Sequence, residues 1–142
     1  MKPHLTETQT LDRPDATPYV EGAIGAADLD AALARAKASG KKVLLNMGGN
    51  WCGDCRAVAG LMDNPQVKAF IEANFEVVFV NVGRYTENLD VAERFGVELC
   101  AAPTLVMLDA DGTVLNPDDM ITLRSARAMT PQAIVDWFAR WV

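Results

Sequence analysis

Three short apolar runs constrain the fold of this chain more than any other sequence feature. They are VLLNM at residues 43–47, FEVVFVNV at residues 75–82 and TLVMLD at residues 104–109. Each has the length of a strand, and the second is almost entirely β-branched or aromatic. Runs that are apolar throughout, rather than alternating with polar residues, are typical of strands covered on both faces. We therefore predict a sheet buried between two layers.

Amphipathic helical patterns surround these runs and supply the covering layers. Leucine and alanine recur at helical spacing before the first run, and Gly40 then ends the pattern. The predicted helices are residues 26–39, a segment after Cys52 that continues through Val58 and Met62, a segment capped by Asn64 and begun by Pro65, a short helix within residues 89–97 closed by Gly96, and a segment from Thr130-Pro131 to Trp141.

The order of elements, αβα then βα then ββα, favours an α/β fold with three layers, α/β/α. Strands separated by helices favour parallel pairing. The turn at residues 109–112 predicts a hairpin to residues 113–115, which adds an antiparallel C-terminal edge to a mixed central sheet. Residues 1–20 show no helical or strand period, so we expect a flexible N-terminal arm followed by one domain at residues 21–142.

Charge and hydropathy exclude several classes of function. The formal net charge is -6, with 13 basic and 19 acidic residues, which disfavours a nucleic-acid partner. No stretch approaches the roughly 20 apolar residues of a membrane helix, and no secretory leader precedes residue 20. We expect a monomeric cytoplasmic protein without membrane insertion, or a periplasmic one if a leader has been removed.

Two of the three cysteines, Cys52 and Cys55, lie where the first apolar run gives way to a helix. Unpaired backbone N–H groups at a helix start stabilise a thiolate, so Cys52 is the predicted nucleophile. Cys55 comes one helical turn later, sheltered but close enough to resolve a mixed disulfide. The carboxylate of Asp54 should oppose the thiolate and make the pair more reducing.

Two other interpretations of the pair remain open. The CxxC spacing is also common in zinc sites, but a closed site needs four ligands, and only Cys100 and His4 remain as typical donors. The cysteines can also be unreactive core residues, although a helix start favours reactivity. We predict no metal and no bound cofactor.

The motif Trp51-Cys52-Gly53-Asp54-Cys55, together with Ala102-Pro103-Thr104 at the start of a later strand, resembles the thioredoxin superfamily over about residues 26–142. The resemblance implies that Pro103 follows a cis peptide bond opposite the cysteines. It also implies that the backbone of Ala102 meets an extended substrate segment. The substrate-binding residues expected from it are Trp51, Gly53, Asp54, Ala102, Pro103 and Thr104.

The resemblance implies a thiol–disulfide oxidoreductase that reduces protein disulfides and is regenerated by an upstream thiol reductant. Asn64-Pro65-Gln66-Val67 is similar to bacterial disulfide isomerase-like relatives of the periplasmic C-terminal domain of a transmembrane disulfide reductant carrier. An isomerase and a non-catalytic redox sensor are the alternatives. Thioredoxin has a buried Asp where this chain has Asn46, and Pro where it has Asp54. We hypothesise that Asp54, or water, accepts the proton of Cys55 instead.

Four further side chains, three outside the motif and Trp51 at its start, have competing interpretations. We expect Cys100 to be a small buried side chain rather than a third redox thiol. Arg124 and Arg127 are expected to be solvated, with recognition of an acidic partner or glutathione as the alternative. Trp51 is expected to shield the cysteines and contact a partner rather than fill the core.

Overall fold

A computed structural model of the protein describes residues 2–5 and 16–142. Its central sheet has three strands, β1 (Lys42–Gly48), β2 (Phe75–Asn81) and β3 (Thr104–Leu108). They lie in the order β2-β1-β3, with β1 parallel to β2 and antiparallel to β3. The predicted mixed central sheet is therefore confirmed.

Five α-helices and one 3₁₀ segment accompany the sheet in the described residues. They are α1 (Gly25–Ser39), α2 (Gly53–Met62), α3 (Pro65–Asn74), α4 (Leu89–Arg94), the 3₁₀ segment Thr122–Ala128, and α5 (Pro131–Ala139). Asn64 caps α3 and Thr130 caps α5 by accepting backbone N–H bonds, as predicted. Sequence analysis did not predict the 3₁₀ segment.

The helices cover the sheet on both faces and make the three predicted layers. Along β1, Leu44 packs with α2, α3 and α5, whereas its neighbours Val43 and Leu45 pack with α1 and α4. Successive strand residues point to opposite faces, so a strand buried on both sides is apolar at most positions, with Asn46 as the buried polar exception in β1. This explains why the first run carries no polar alternation.

β3 runs antiparallel to β1. After β2 the chain passes through α4 and enters β3 at the carboxyl end of β1, where Thr104 pairs with Met47. The predicted parallel pairing is confirmed for β1 with β2 and is wrong for β1 with β3.

The second arm of the predicted hairpin forms a single antiparallel bridge, between Leu108 and Val114, rather than a strand. Beyond it, the buried side chain of Asn116 takes over the edge of β3. Its Oδ1 accepts from the N–H of Met107 at 2.8 Å, and its Nδ2 donates to the carbonyl of Leu105 at 2.9 Å. An amide side chain thus satisfies backbone groups that a further strand would otherwise pair.

Residues 16–20, part of the predicted arm, contact the folded domain. Tyr19 is buried, and Asn50 holds its backbone through two hydrogen bonds of 3.1 and 2.8 Å. Arg56 Nε donates to the carbonyl of Ala16 at 3.2 Å. This segment therefore lies against the loop before α2 and the first turn of α2.

Residues 2–5 contact α5. The N–H of Leu5 donates to Gln132 Oε1 at 2.8 Å, and Lys2 forms an ion pair with Asp136. The remainder of the predicted arm, residue 1 and residues 6–15, lies outside the described residues. Within the described ranges, no helix is both long and apolar enough to span a bilayer.

Candidate active site

Cys52 occupies the N-cap of α2, directly after the loop that leaves β1. Its backbone is extended, with φ -90° and ψ 116°, and its Sγ accepts the N–H of Cys55 at 3.2 Å. A sulfur thus takes the place of the usual side-chain oxygen and receives one of the unpaired N–H groups of the first helical turn. This contact aims the positive end of α2 at the thiol.

The pKa of Cys52 is lowered to about 7, chiefly by its hydrogen bond with the Cys55 thiol. Backbone N–H groups of Cys55 and Asp54 lower the pKa further, while burial and the charge of Asp54 act in the opposite direction. Asp54 therefore raises the pKa of Cys52, as predicted, but the hydrogen bonds that lower this pKa have the larger effect. At neutral pH a large fraction of Cys52 is thiolate, the form that attacks disulfides.

Cys55 is fully buried on the inner side of α2 and has the opposite electrostatics. Its pKa is raised above the ordinary thiol value, first by its hydrogen bond with the Cys52 sulfur and then by burial. The two thiols interact strongly and titrate as a pair. When Cys52 ionises, the proton that the pair still holds stays on Cys55.

The Ala102–Pro103 peptide bond is cis, as the resemblance implies. It brings the carbonyl of Ala102 next to Cys52, whose Sγ lies 3.4 Å from that oxygen. Thr104 Oγ1 donates to the carbonyl of Ala101, which ties the start of β3 to the same turn. The fold therefore joins two sequence segments some fifty residues apart, the CxxC motif and Ala102-Pro103-Thr104.

Arg127, from the 3₁₀ segment, forms an ion pair with Asp54. The carboxylate accepts from the Arg127 backbone N–H at 2.9 Å and from Nε at 3.2 Å. The guanidinium lies over Gly53, where an added Cβ would come within 2.6 Å of Nη1. Arg127 is therefore engaged with the motif rather than merely solvated, whereas Arg124 is exposed and forms no ion pair within residues 16–142.

Trp51 lies on the surface immediately before Cys52 and is 42% exposed. Its Nε1 donates to the carbonyl of Gly83 at 2.7 Å, and the guanidinium of Arg84 lies 4.8 Å from its ring. Tyr85 meets it edge to face, with ring centroids 6.1 Å apart. The indole is held by the loop after β2 and does not fill the core, in agreement with the sequence-based interpretation.

Behind Cys55 lies a polar pair, Asn46 and Tyr19, of which the sequence comparison with thioredoxin singled out Asn46 but not Tyr19. Both side chains are buried, and the Tyr19 hydroxyl donates to Asn46 Oδ1 at 2.5 Å. Tyr19 and Cys55 belong to one buried cluster, and the hydroxyl lowers the pKa of Cys55 relative to the value that burial alone would give. Burial, and then the nearby cysteine charges, raise the pKa of Tyr19 well above its ordinary value, so this phenol remains protonated. Asn46, a polar residue within an apolar run, was the available sequence signal.

Cys100 is exposed, so the expectation that it packs as a small buried side chain is wrong. It belongs to the loop before β3 rather than to a strand or helix, which leaves its side chain in solvent.

Within residues 2–5 and 16–142, no group of three or more His, Cys, Asp or Glu side chains gathers as metal ligands would. Met47 and Met62 are core residues on opposite faces of the sheet.

Comparison with known proteins assigns the family. A model of the family described as thioredoxin-like matches residues 24–110, more than half of the chain. The chain belongs to this thioredoxin-like family. The match includes β1, the CxxC motif and β3, which together form the site described above.

Among solved structures, this thioredoxin-like chain is similar to one described as a disulphide isomerase from Xylella fastidiosa Temecula1. The two are 34% identical, with a TM-score of 0.77, over 87% of this chain and 95% of that one. The C-terminal domain of Neisseria meningitidis DsbD, in its oxidised form, has a TM-score of 0.59 at 19% identity, covering 82% of this chain and 95% of that domain. The second similarity is one of fold.

Among curated proteins, the thioredoxin-like chain is 35% identical to an H-type thioredoxin of Oryza sativa subsp. indica over 81 residues, which are 57% of this chain and 60% of the rice protein. It spans less than two thirds of the length of the curated thioredoxins that it matches. The residues matched by the family model include Cys52 and Cys55.

Proposed function

We propose that this protein is a thiol–disulfide oxidoreductase that reduces disulfide bonds in other proteins. The observation that carries the proposal is the difference in pKa between its two thiols. Cys52 ionises near neutral pH at a helix start, and Cys55, fully buried, keeps its proton beside it. An unreactive structural pair has no need of this asymmetry.

The reaction has two exchange steps. In the first, Cys52 Sγ attacks one sulfur of the partner's disulfide, a bond forms between those two sulfurs, and the partner's other sulfur leaves as a thiolate. In the second, Cys55 Sγ attacks Cys52 Sγ, the mixed disulfide breaks, and the second partner sulfur leaves with its electron pair. The proton lost by Cys55 ends on a partner thiolate, so the partner gains two electrons and the Cys52–Cys55 pair loses them.

A substrate segment is proposed to lie along the turn that contains Ala102, Pro103 and Thr104. The carbonyl of Ala102, 3.4 Å from Cys52 Sγ, supports this placement because a segment bonded to that backbone has its sulfur next to the nucleophile. Trp51, exposed before Cys52, offers an aromatic surface on one side. Gly53 and Asp54, beneath the Arg127 side chain, border the other side.

The degree of ionisation of Cys52 supports net reduction as the direction. A strongly stabilised thiolate makes the dithiol the favoured state and the disulfide a strong oxidant, as in members of this class whose nucleophile has a pKa of about 3.5. The pKa of Cys52, about 7, indicates weaker stabilisation. The dithiol is therefore proposed to give up electrons readily and to be restored by an upstream thiol reductant.

Insulin reduction and the equilibrium potential test this function together. With dithiothreitol as electron source, the protein is expected to accelerate insulin precipitation, whereas a redox sensor forms Cys52–Cys55 without turnover. Equilibration with glutathione buffers is expected to give a reduction potential near the thioredoxin value of about -270 mV. A potential between about -180 and -120 mV would contradict net reduction.

A disulfide isomerase is the second candidate, favoured by one observation. The solved structure that is 34% identical over 87% of this chain is described as a disulphide isomerase. An isomerase uses the same two thiols but returns the electrons to the substrate, so no net reductant is consumed. Recovery of ribonuclease activity from scrambled ribonuclease, without added reductant beyond a catalytic amount, would favour the isomerase.

A further inference from the structure

We propose that the Tyr19 hydroxyl, oriented by Asn46, stabilises the thiolate of Cys55 while that residue resolves the mixed disulfide. The proposal rests on the exchange function above and assigns a role to two buried residues outside the CxxC motif. Tyr19 contacts a reacting atom, whereas Asn46 acts through Tyr19 as a positioning residue.

The first observation is the close approach of Tyr19 and Cys55 around Gly48. A Cβ added to Gly48 would lie 2.6 Å from Cys55 Sγ and 2.7 Å from the Tyr19 hydroxyl oxygen. Both atoms therefore pack against the same bare stretch of β1. Because Gly48 has no side chain, the Tyr19 hydroxyl and the Cys55 sulfur can both lie against this part of β1.

The second observation is the set of groups that surround Cys55. Those that act on its thiol are the Cys52 sulfur, the backbone of Gly49 and the hydroxyl of Tyr19. Asp54 is directed instead toward Arg127 on the surface. The earlier hypothesis that Asp54 accepts the Cys55 proton is therefore less well supported than a role for Tyr19.

The third observation is an unused donor on Asn46. Its Nδ2 is buried without a hydrogen-bond partner, although its Oδ1 accepts from Tyr19. A half-turn of the amide would direct Nδ2 at the Tyr19 oxygen and free the hydroxyl hydrogen to point at Cys55. The pair thus has two arrangements, one suited to a protonated Cys55 and one suited to its thiolate.

A neutral hydroxyl suits this buried position. Cys55 must carry a negative charge during attack, and an unpaired buried charge is costly. A hydrogen bond to a charged acceptor is stronger than one between neutral groups, and a phenol adds no second negative charge. Tyr19 keeps its own proton throughout, and the Cys55 proton goes to the partner's leaving sulfur.

The Tyr19 ring is fixed well enough to serve this role. Its backbone bonds to Asn50 on both sides of the residue, and its ring meets Phe79 edge to face at 5.4 Å. A substitution that removes the oxygen but keeps the ring will therefore leave the packing in place. Tyr19→Phe is that substitution.

Dithiobis(nitrobenzoate) separates the two steps of exchange, because attack by Cys52 releases one thionitrobenzoate and resolution by Cys55 releases the second. The exposed Cys100 is first replaced by serine so that it does not react. In this background, Tyr19→Phe is expected to slow the second release about tenfold, equivalent to about 1.4 kcal/mol of activation free energy. The first release should be unchanged.

Tyr85→Phe is the matched control, since it removes the hydroxyl of the chain's other tyrosine, which packs against Trp51 and borders the cluster of Tyr19, Cys52 and Cys55. A control beside the same cysteines shows whether the effect depends on the hydroxyl at position 19. Its second release should match that of the parent protein. The pH profile of the second release should move to higher pH in Tyr19→Phe alone, because losing the donor disfavours the Cys55 thiolate. An unchanged second release, or equal slowing of both releases, would overturn the proposal.

If Tyr19→Phe does not fold, 3-fluorotyrosine incorporated into the Tyr85→Phe protein gives a single modified hydroxyl at position 19. This more acidic donor is expected to accelerate the second release, and no acceleration would contradict the proposal.

The proposed function and the proposed role of Tyr19 are contradicted by different results. A parent protein that shows both releases but does not reduce insulin contradicts the proposed function, whereas normal turnover with an unaffected Tyr19→Phe variant contradicts this inference alone.

Discussion

Arg127 reaches across Gly53 to Asp54, with Nε 3.2 Å from Oδ1, and thereby joins the 3₁₀ segment to the first turn of α2. Asp54 is only 17% exposed in this pair, whereas Arg127 is 67% exposed. The carboxylate opposes ionisation of Cys52, and the guanidinium is stabilised by the Cys52 charge. Two surface groups therefore act on the nucleophile in opposite directions.

Asp54→Asn is expected to lower the pKa of Cys52, and Arg127→Ala to raise it. The first removes a negative charge that disfavours the thiolate, and the second removes the positive charge that attracts it. The thiolate absorbance in the ultraviolet, followed against pH, measures both shifts. Asp63→Asn, at the other end of α2, is the control and should have no effect. A shift of the same sign in both variants would contradict the opposing roles.

The alkylation rate of Cys52 should follow its lowered pKa. The rate is expected to rise about tenfold for each pH unit below the midpoint, and to level off above a midpoint of about 7. The sign follows because the thiolate reacts and the thiol does not. Iodoacetamide kinetics in a Cys100→Ser background make the measurement. A midpoint near the ordinary thiol value of about 8.5 would contradict the arrangement at the start of α2.

Serine substitutions should distinguish the two cysteines. Cys52→Ser is expected to reduce insulin reduction to the uncatalysed rate, because the buried Cys55 keeps its proton. Cys55→Ser should form the mixed disulfide and then stall, accumulating about one partner molecule per protein. Non-reducing electrophoresis and mass spectrometry identify the trapped species. Accumulation on Cys52→Ser instead would reverse the assignment.

The substitution Gly48→Ala should destabilise the protein. Its Cβ would clash with the buried Cys55 sulfur and Tyr19 hydroxyl, and such overpacking costs about 1–3 kcal/mol. Gly53→Ala is the control because its Cβ meets only the exposed end of Arg127, so the free energy of unfolding should change by less than about 0.5 kcal/mol. Urea denaturation measures both. Equal stability of the two variants would contradict the close contact at Gly48.

The predictions from sequence that were confirmed rest on local signals. The apolar runs located all three strands, and Asn64 and Thr130 marked helix starts because their side chains bond to N–H groups two or three residues away. Likewise, Cys52 at a strand-to-helix junction indicated a stabilised thiolate. In each case the cause and the effect lie within a few residues of each other along the chain.

What the tertiary structure alone decided depends on residues distant along the chain. Tyr19, assigned to a flexible arm, lies against Cys55 because Asn50 binds its backbone across 31 positions. Arg127 reaches Asp54 across 73 positions. No periodicity or spacing encodes such contacts, since they arise only when separate segments pack together. The sequence by itself determined the position of Cys52 at a helix start, because that signal is local. The folded chain decided which groups surround Cys55, because those groups come from segments distant along the chain.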